Sequence, residues 1–154
     1  MSLGNKNVKL KVTLLNLLEK GISVDVTAQG LSMFPVLLPD DVLRVKPVKA
    51  GRLNRGRIIV YEVQAKMISH RFIKIKNGKV ICKGDGLLYS DAPVEPGAVL
   101  GVVIARTRKN KTTYFNTKRS AIFGQIISYI TPLTGFLFHY LGRAWYKCFF
   151  TGKA

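Results

Sequence analysis

Three short runs of this chain carry residue types that can do chemistry together. The first is "GLSMFP", residues 30–35, where Ser32 stands between Gly30 and Pro35 in a turn-like setting. A serine hydroxyl becomes a nucleophile only when a base takes its proton, so Ser32 means little without a partner. The second run is Ser69-His70-Arg71, at the centre of an apolar strand pattern. A neutral imidazole, with an ordinary pKa of ~6.5, can take such a proton near neutral pH. The third is "KGDGLLYSD", in which Asp85 and Asp91 are two of only eight acidic residues. A carboxylate hydrogen-bonded to the second imidazole nitrogen would fix the tautomer and stabilise the imidazolium, the third role in a serine triad. Each run also has a plain structural reading: a turn serine, a strand histidine, and an Asx turn at Gly-Asp-Gly.

The elements that must position these residues are legible in outline. In residues 8–20, "VKLKVTLLNLLEK", the apolar positions Leu10, Leu14, Leu17 and Leu18 fall on one face of a helix, and Gly21 is a natural stop. From 22 to 105 the pattern is that of strands. "ISVDVT" alternates with period two, and "DVLRV", "RIIVYEV", "MISHRFIKI", "KVIC" and "VLGVVIA" are short, β-branched or apolar, and separated by Gly, Pro and Asn. Asn77-Gly78 between two such runs signals a two-residue hairpin. The expectation is a mainly β fold: a small, curled, mostly antiparallel β domain over residues 1–105, opened by an amphipathic helix within 1–21.

Residues 106–119 read as a basic, polar connector, and residues 120–154 as a hydrophobic, basic appendage. The stretch 120–142 carries no Asp, Glu, Lys or Arg and is long enough for one membrane crossing. Thr131-Pro132 should break it, so two short helices in a membrane interface or on the β domain compete with a span.

Composition narrows the partners. A hydrophobic fraction of 47% excludes a disordered chain, and a net charge of +17 implies an anionic partner or surface. No acidic residue follows Glu95, while the aromatics of the tail cluster with aliphatics between Phe123 and Phe150. That arrangement favours an anionic membrane surface over nucleic acid, which would want basic residues interleaved with exposed aromatics. Cys82 and Cys148 have neither metal-ligand nor disulfide-framework spacing, so no metal and no cofactor is expected. The lysine-bearing N-terminus lacks the uninterrupted apolar core of a secretory signal.

Taken in order, "GLSMFP", "SHRF", "KGDGLLYSD" and "VLGVVIA" resemble the signal peptidase I / SOS-repressor superfamily of serine peptidases, over roughly residues 22–105. His70 stands where bacterial signal peptidases and self-cleaving repressors carry lysine, so the chain resembles the histidine-base branch. The resemblance implies a curled β domain with Ser32 as nucleophile, His70 as general base and Asp91 as orienting acid. Asp85 would structure the loop or share the acid role. It also implies the backbone N–H of Ser32 as oxyanion donor, while Gly30 removes the serine hydroxyl many relatives place there. Lys66, four residues before His70 on the same strand face, is a minor alternative base.

The activity so implied is cleavage of a signal, leader or precursor peptide, in the cytoplasm or at the inner membrane face, or from a single-pass anchor through 120–142. Two other readings share the fold. A self-cleaving repressor effector domain is disfavoured by His70 and by the lack of an Ala-Gly or Cys-Gly site before Ser32. A non-catalytic membrane- or nucleic-acid-binding module would leave Ser32 without a role.

Overall fold

The computed structural model describes residues 12–150, without the side chains of 131–134 and 149–150. Residues 12–19 are helical (α1), and the earlier part of the expected helix lies outside the described residues. Leu18 is buried, with Leu14 and Leu17 packed around it, so the apolar face docks on the β domain. The helix ends in a Schellman pattern: Gly21 N–H donates to the Leu18 carbonyl at 3.0 Å and Ile22 N–H to that of Leu17 at 2.9 Å.

Seven strands follow: β1 (Val24–Thr27), β2 (Val42–Pro47), β3 (Ile58–Val63), β4 (Lys66–Lys76), β5 (Lys79–Lys83), β6 (Val99–Arg108) and β7 (Lys111–Tyr114). They form one sheet in the order β1-β2-β6-β3-β4-β5, with β7 paired to β6, and every pairing is antiparallel. The mainly β, antiparallel domain read from the sequence is therefore present. The register shifts at Arg44/Val45, at Val60/Tyr61 and between Phe72 and Lys74, which are features that locally bend a strand.

Strand β3 explains why the sheet has two cores. Ile58 and Val60 enter one cluster with Leu18, Met33, Leu37, Leu43 and Val45, whereas Ile59 and Tyr61 enter another with Phe72, Val80, Cys82 and Val94. Alternate residues of a strand point to opposite faces, so a strand apolar at every position must be covered on both. "RIIVYEV" is such a strand.

Three tight hairpins place two consecutive residues at positive φ. One is Asn77-Gly78 (51° and 73°), as its sequence foretells. The others are Gln64-Ala65 (48° and 60°) and Lys109-Asn110 (45° and 62°). The last overturns one expectation. Residues 106–119 are not a plain connector, because β6 runs to Arg108 and returns as β7 to Tyr114, extending the sheet past residue 105. Without a glycine, the Lys109-Asn110 turn gives no clear hairpin cue. The basic side chains are not all solvated either. Arg108 Nε donates to Asp41 Oδ1 at 2.6 Å, and both Arg108 and Arg106 donate to the Val36 carbonyl, pinning the segment that follows Pro35.

The last element, α2 (Lys118–Phe150), keeps its helical backbone through Thr131-Pro132 but bends by 103° between Lys118–Ile130 and Gly135–Cys148. The break falls at Thr131-Pro132, as the sequence leads one to expect, and divides the helix into two arms. Among the described residues no single helix is long and apolar enough to cross a membrane; only the bent pair passes that test, taken together.

Candidate active site

His70 and Arg71 are consecutive on β4, so their side chains leave on opposite faces of the sheet. Each meets one aspartate of the "KGDGLLYSD" run. His70 Nδ1 lies 2.6 Å from Asp91 Oδ2, with the imidazole 7% and the carboxylate 19% exposed. With Asp91 as a carboxylate, which only accepts, the hydrogen between them belongs to the imidazole. Nε2 is then left as the acceptor a general base requires.

Asp85 does something else. Its two oxygens accept from Arg71 Nε at 2.8 Å and Nη2 at 2.5 Å, and Arg71 Nη1 donates to the Gly56 carbonyl at 2.6 Å. Both side chains are buried, and this bidentate geometry satisfies charges that would be costly alone. Asp85 thus makes its hydrogen bonds to Arg71, and Asp91 is the aspartate on His70.

The glycines flanking Asp85 bring its loop against the Ser32 turn. Gly86 N–H donates to the Ser32 carbonyl at 2.9 Å. A Cβ at Gly84 would collide with that same carbonyl, and one at Gly86 would stand 2.7 Å from the carbonyl oxygen of Leu31. The Gly-Asp-Gly run is therefore a clamp: Asp85 anchors it to the sheet through Arg71, and its glycines press on residues 31–32. On the other side of the turn, Gly30 adopts φ +76°, a conformation that strains any side-chain-bearing residue. This is a physical reason for glycine at position 30.

Ser32 and His70 line the same cleft, of about 950 Å³, together with residues 25–30, Lys66 and the apolar side chains of Leu14, Met33, Leu37 and Met67. The Ser32 hydroxyl makes no hydrogen bond among the described residues, to His70 or to any other group. The Ser32 N–H is likewise unengaged and available to an incoming acceptor. Contacts of this kind often tighten only when substrate is bound.

One residue that the motif runs did not single out belongs to the site. Tyr61, 1% exposed, donates its hydroxyl to Asp91 Oδ2 at 2.8 Å and lies 3.2 Å from His70 Nδ1. Burial, then the hydrogen bond to Asp91, push its pKa well above that of an ordinary phenol, so it remains a donor. In the sequence it is simply an aromatic in a strand, and only the β3–β4 register places it beside His70. Behind the site, burial and the nearby Asp91 charge raise the Cys82 thiol to about 12, which makes it inert. Lys83 is also buried, and burial lowers its pKa against the partial opposition of Asp85.

No protein-family model and no curated protein matches this chain.

Proposed function

We propose that this protein is a serine endopeptidase of signal-peptidase type that cleaves a signal, leader or precursor peptide through Ser32, His70 and Asp91. The observation that carries the reading is the 2.6 Å contact of His70 with Asp91 on the wall of a cleft that also holds Ser32. The order of the motif runs along the chain supports it as well.

In this mechanism His70 Nε2 takes the Ser32 proton as Oγ attacks a peptide carbonyl. The resulting imidazolium is stabilised by Asp91 and then protonates the leaving amine. Water, deprotonated by His70 in turn, hydrolyses the acyl-enzyme. The Ser32 N–H is the oxyanion donor, held in place by the clamp on the Ser32 carbonyl; loss of such a donor typically costs ~3–4 kcal/mol of transition-state stabilisation.

The cleft favours an extended peptide. Among the described residues strand β1 ends the sheet and β5 pairs with β4 only from Arg71 onward, so there β1 and residues 66–70 both offer unpaired backbone edges to the cleft. Its apolar floor of Met33, Leu37 and Met67 suits uncharged side chains.

The test is labelling by a fluorophosphonate serine probe, comparing the wild type with Ser32→Ala and His70→Ala. Labelling of the wild type that disappears in both variants is the expected result. A folded wild type that shows no labelling, with or without lipid vesicles, would overturn the reading and leave a binding module.

A further inference from the structure

Helix α2 wears its side chains the wrong way round for a protein surrounded by water. The face that packs on the β domain is built from small residues: Gly124, Ser128, Gly135 and Gly142, at intervals of four, seven and seven. Gly124 abuts the backbone of Gly56, and Ser128 Oγ accepts from Arg55 Nε at 2.9 Å. Gly135 abuts the Leu87 carbonyl, and Gly142 the Phe34 ring, which also meets Trp145 at 6.0 Å. Small residues let the helix lie close, but they bury little apolar area.

The large apolar side chains are on the outside. Ile122, Ile126 and Ile130 form a stripe on the first arm, and Phe136, Leu137 and Tyr140 on the second, each 43–63% exposed. A surface helix in water turns such a stripe toward its core. Because both arms use their small-residue faces against the same β domain, both stripes point away from it. Exposed apolar stripes of this kind mark a contact surface.

Charge identifies what would cover it. Exposed cations stand at the outer ends of the two stripes: Lys118 and Arg119 before the first, Arg143 and Lys147 after the second. Arg119 lies three residues before Ile122 and Arg143 three after Tyr140, so both share the outward face. No acidic residue occurs anywhere after Glu95. An apolar stripe with cations at its ends matches the acyl boundary and headgroups of an anionic bilayer. Length decides between lying and crossing. Each arm is only about 20 Å long, against the roughly 30 Å of a hydrocarbon core.

We propose that the outward face of α2 docks on an anionic phospholipid bilayer, with both arms lying in the interface. The docking needs no catalysis, so the Ser32→Ala protein binds as the wild type does.

The test is co-flotation of the full chain with vesicles of phosphatidylcholine alone or mixed with phosphatidylglycerol. The wild type should float with the mixed vesicles, bind the neutral ones much more weakly, and be released by high salt. Neutralising Arg119→Gln with Arg143→Gln should weaken partitioning roughly 30-fold, and Phe136→Ser with Leu137→Ser at least about 10-fold. All four positions are exposed, so the variants should keep their fold, which circular dichroism of each checks. Equal binding to both vesicle types, or no effect of either pair of substitutions, would overturn the proposal. So would resistance to both high salt and alkaline carbonate, which would mean insertion across the bilayer. Absence of flotation together with a dimer that Phe136→Ser and Leu137→Ser dissolve would overturn it too, assigning the face to a second copy.

Discussion

Asp85 and Asp91 lie six residues apart in one loop, yet the sheet gives them opposite work. Asp85 is fully buried and spends both oxygens on Arg71. Asp91 keeps some exposure and presents one oxygen to both His70 and Tyr61. The first arrangement resists change, because a buried charge deprived of its partner is strongly penalised. The second can support a change of charge on its neighbour, because an imidazolium forming at His70 finds a carboxylate already aligned. Residue type does not separate an acid paired with arginine from one paired with histidine. The face of β4 from which the partner comes does.

This contrast can be broken by exchanging the two acids for amides. Asp91→Asn should reduce serine-probe labelling by about 10⁴-fold, the scale seen when a triad acid becomes an amide and the imidazole tautomer is lost. Its melting temperature should change far less than that of Asp85→Asn. Asp85→Asn should lose about 3–5 kcal/mol in denaturant unfolding, because Arg71 stays buried without a counter-charge. Should the two outcomes be interchanged, with Asp85→Asn folded and unlabelled, Asp85 would be the chemical acid and Asp91 the structural one.

Tyr61→Phe sharpens the same comparison. It removes a donor to a charged acceptor and should cost about 1.5–3 kcal/mol of stability. Its effect on labelling should remain well below that of Asp91→Asn, since His70 keeps its own hydrogen bond. A loss of labelling as deep as that of Asp91→Asn would mean that Tyr61, rather than the aspartate, holds the imidazole.

The smallest effect concerns Cys82, whose thiol is raised to about 12 by burial and by the charge of Asp91. Above pH 9 an unfolded chain ionises this thiol while the folded one keeps it protonated. The unfolded state then binds fewer protons, and the folded state loses stability as pH rises toward 12. Cys82→Ala leaves a small cavity and should be less stable than the wild type at pH 7. Lacking the thiol, it escapes that alkaline loss, so the gap in melting temperature should narrow between pH 9 and 12. A gap of constant width would show that Asp91 and burial do not act on Cys82 in this way.

Much of the fold is local and therefore legible in the order of residues. Period-two runs became strands, Leu14, Leu17 and Leu18 at helical spacing became the docked face of α1, and Asn77-Gly78 became a hairpin, because each follows from the geometry of a few neighbouring residues. The hairpins at Gln64-Ala65 and Lys109-Asn110 were not readable that way. Neither has a glycine, and the pairing strands on either side hold those residues at positive φ.

By itself, then, the sequence determined strands β1 to β6, the runs around Ser32, His70 and the two aspartates, and the strong positive charge. Tertiary structure alone decided which aspartate meets His70, that Tyr61 joins them, that the Gly-Asp-Gly loop clamps the Ser32 turn, and that α2 turns its large side chains outward. The physical reason is common to all four. Each depends on a contact between segments distant in the chain, and such contacts are set by register, strand face and close backbone approach, which no local pattern encodes.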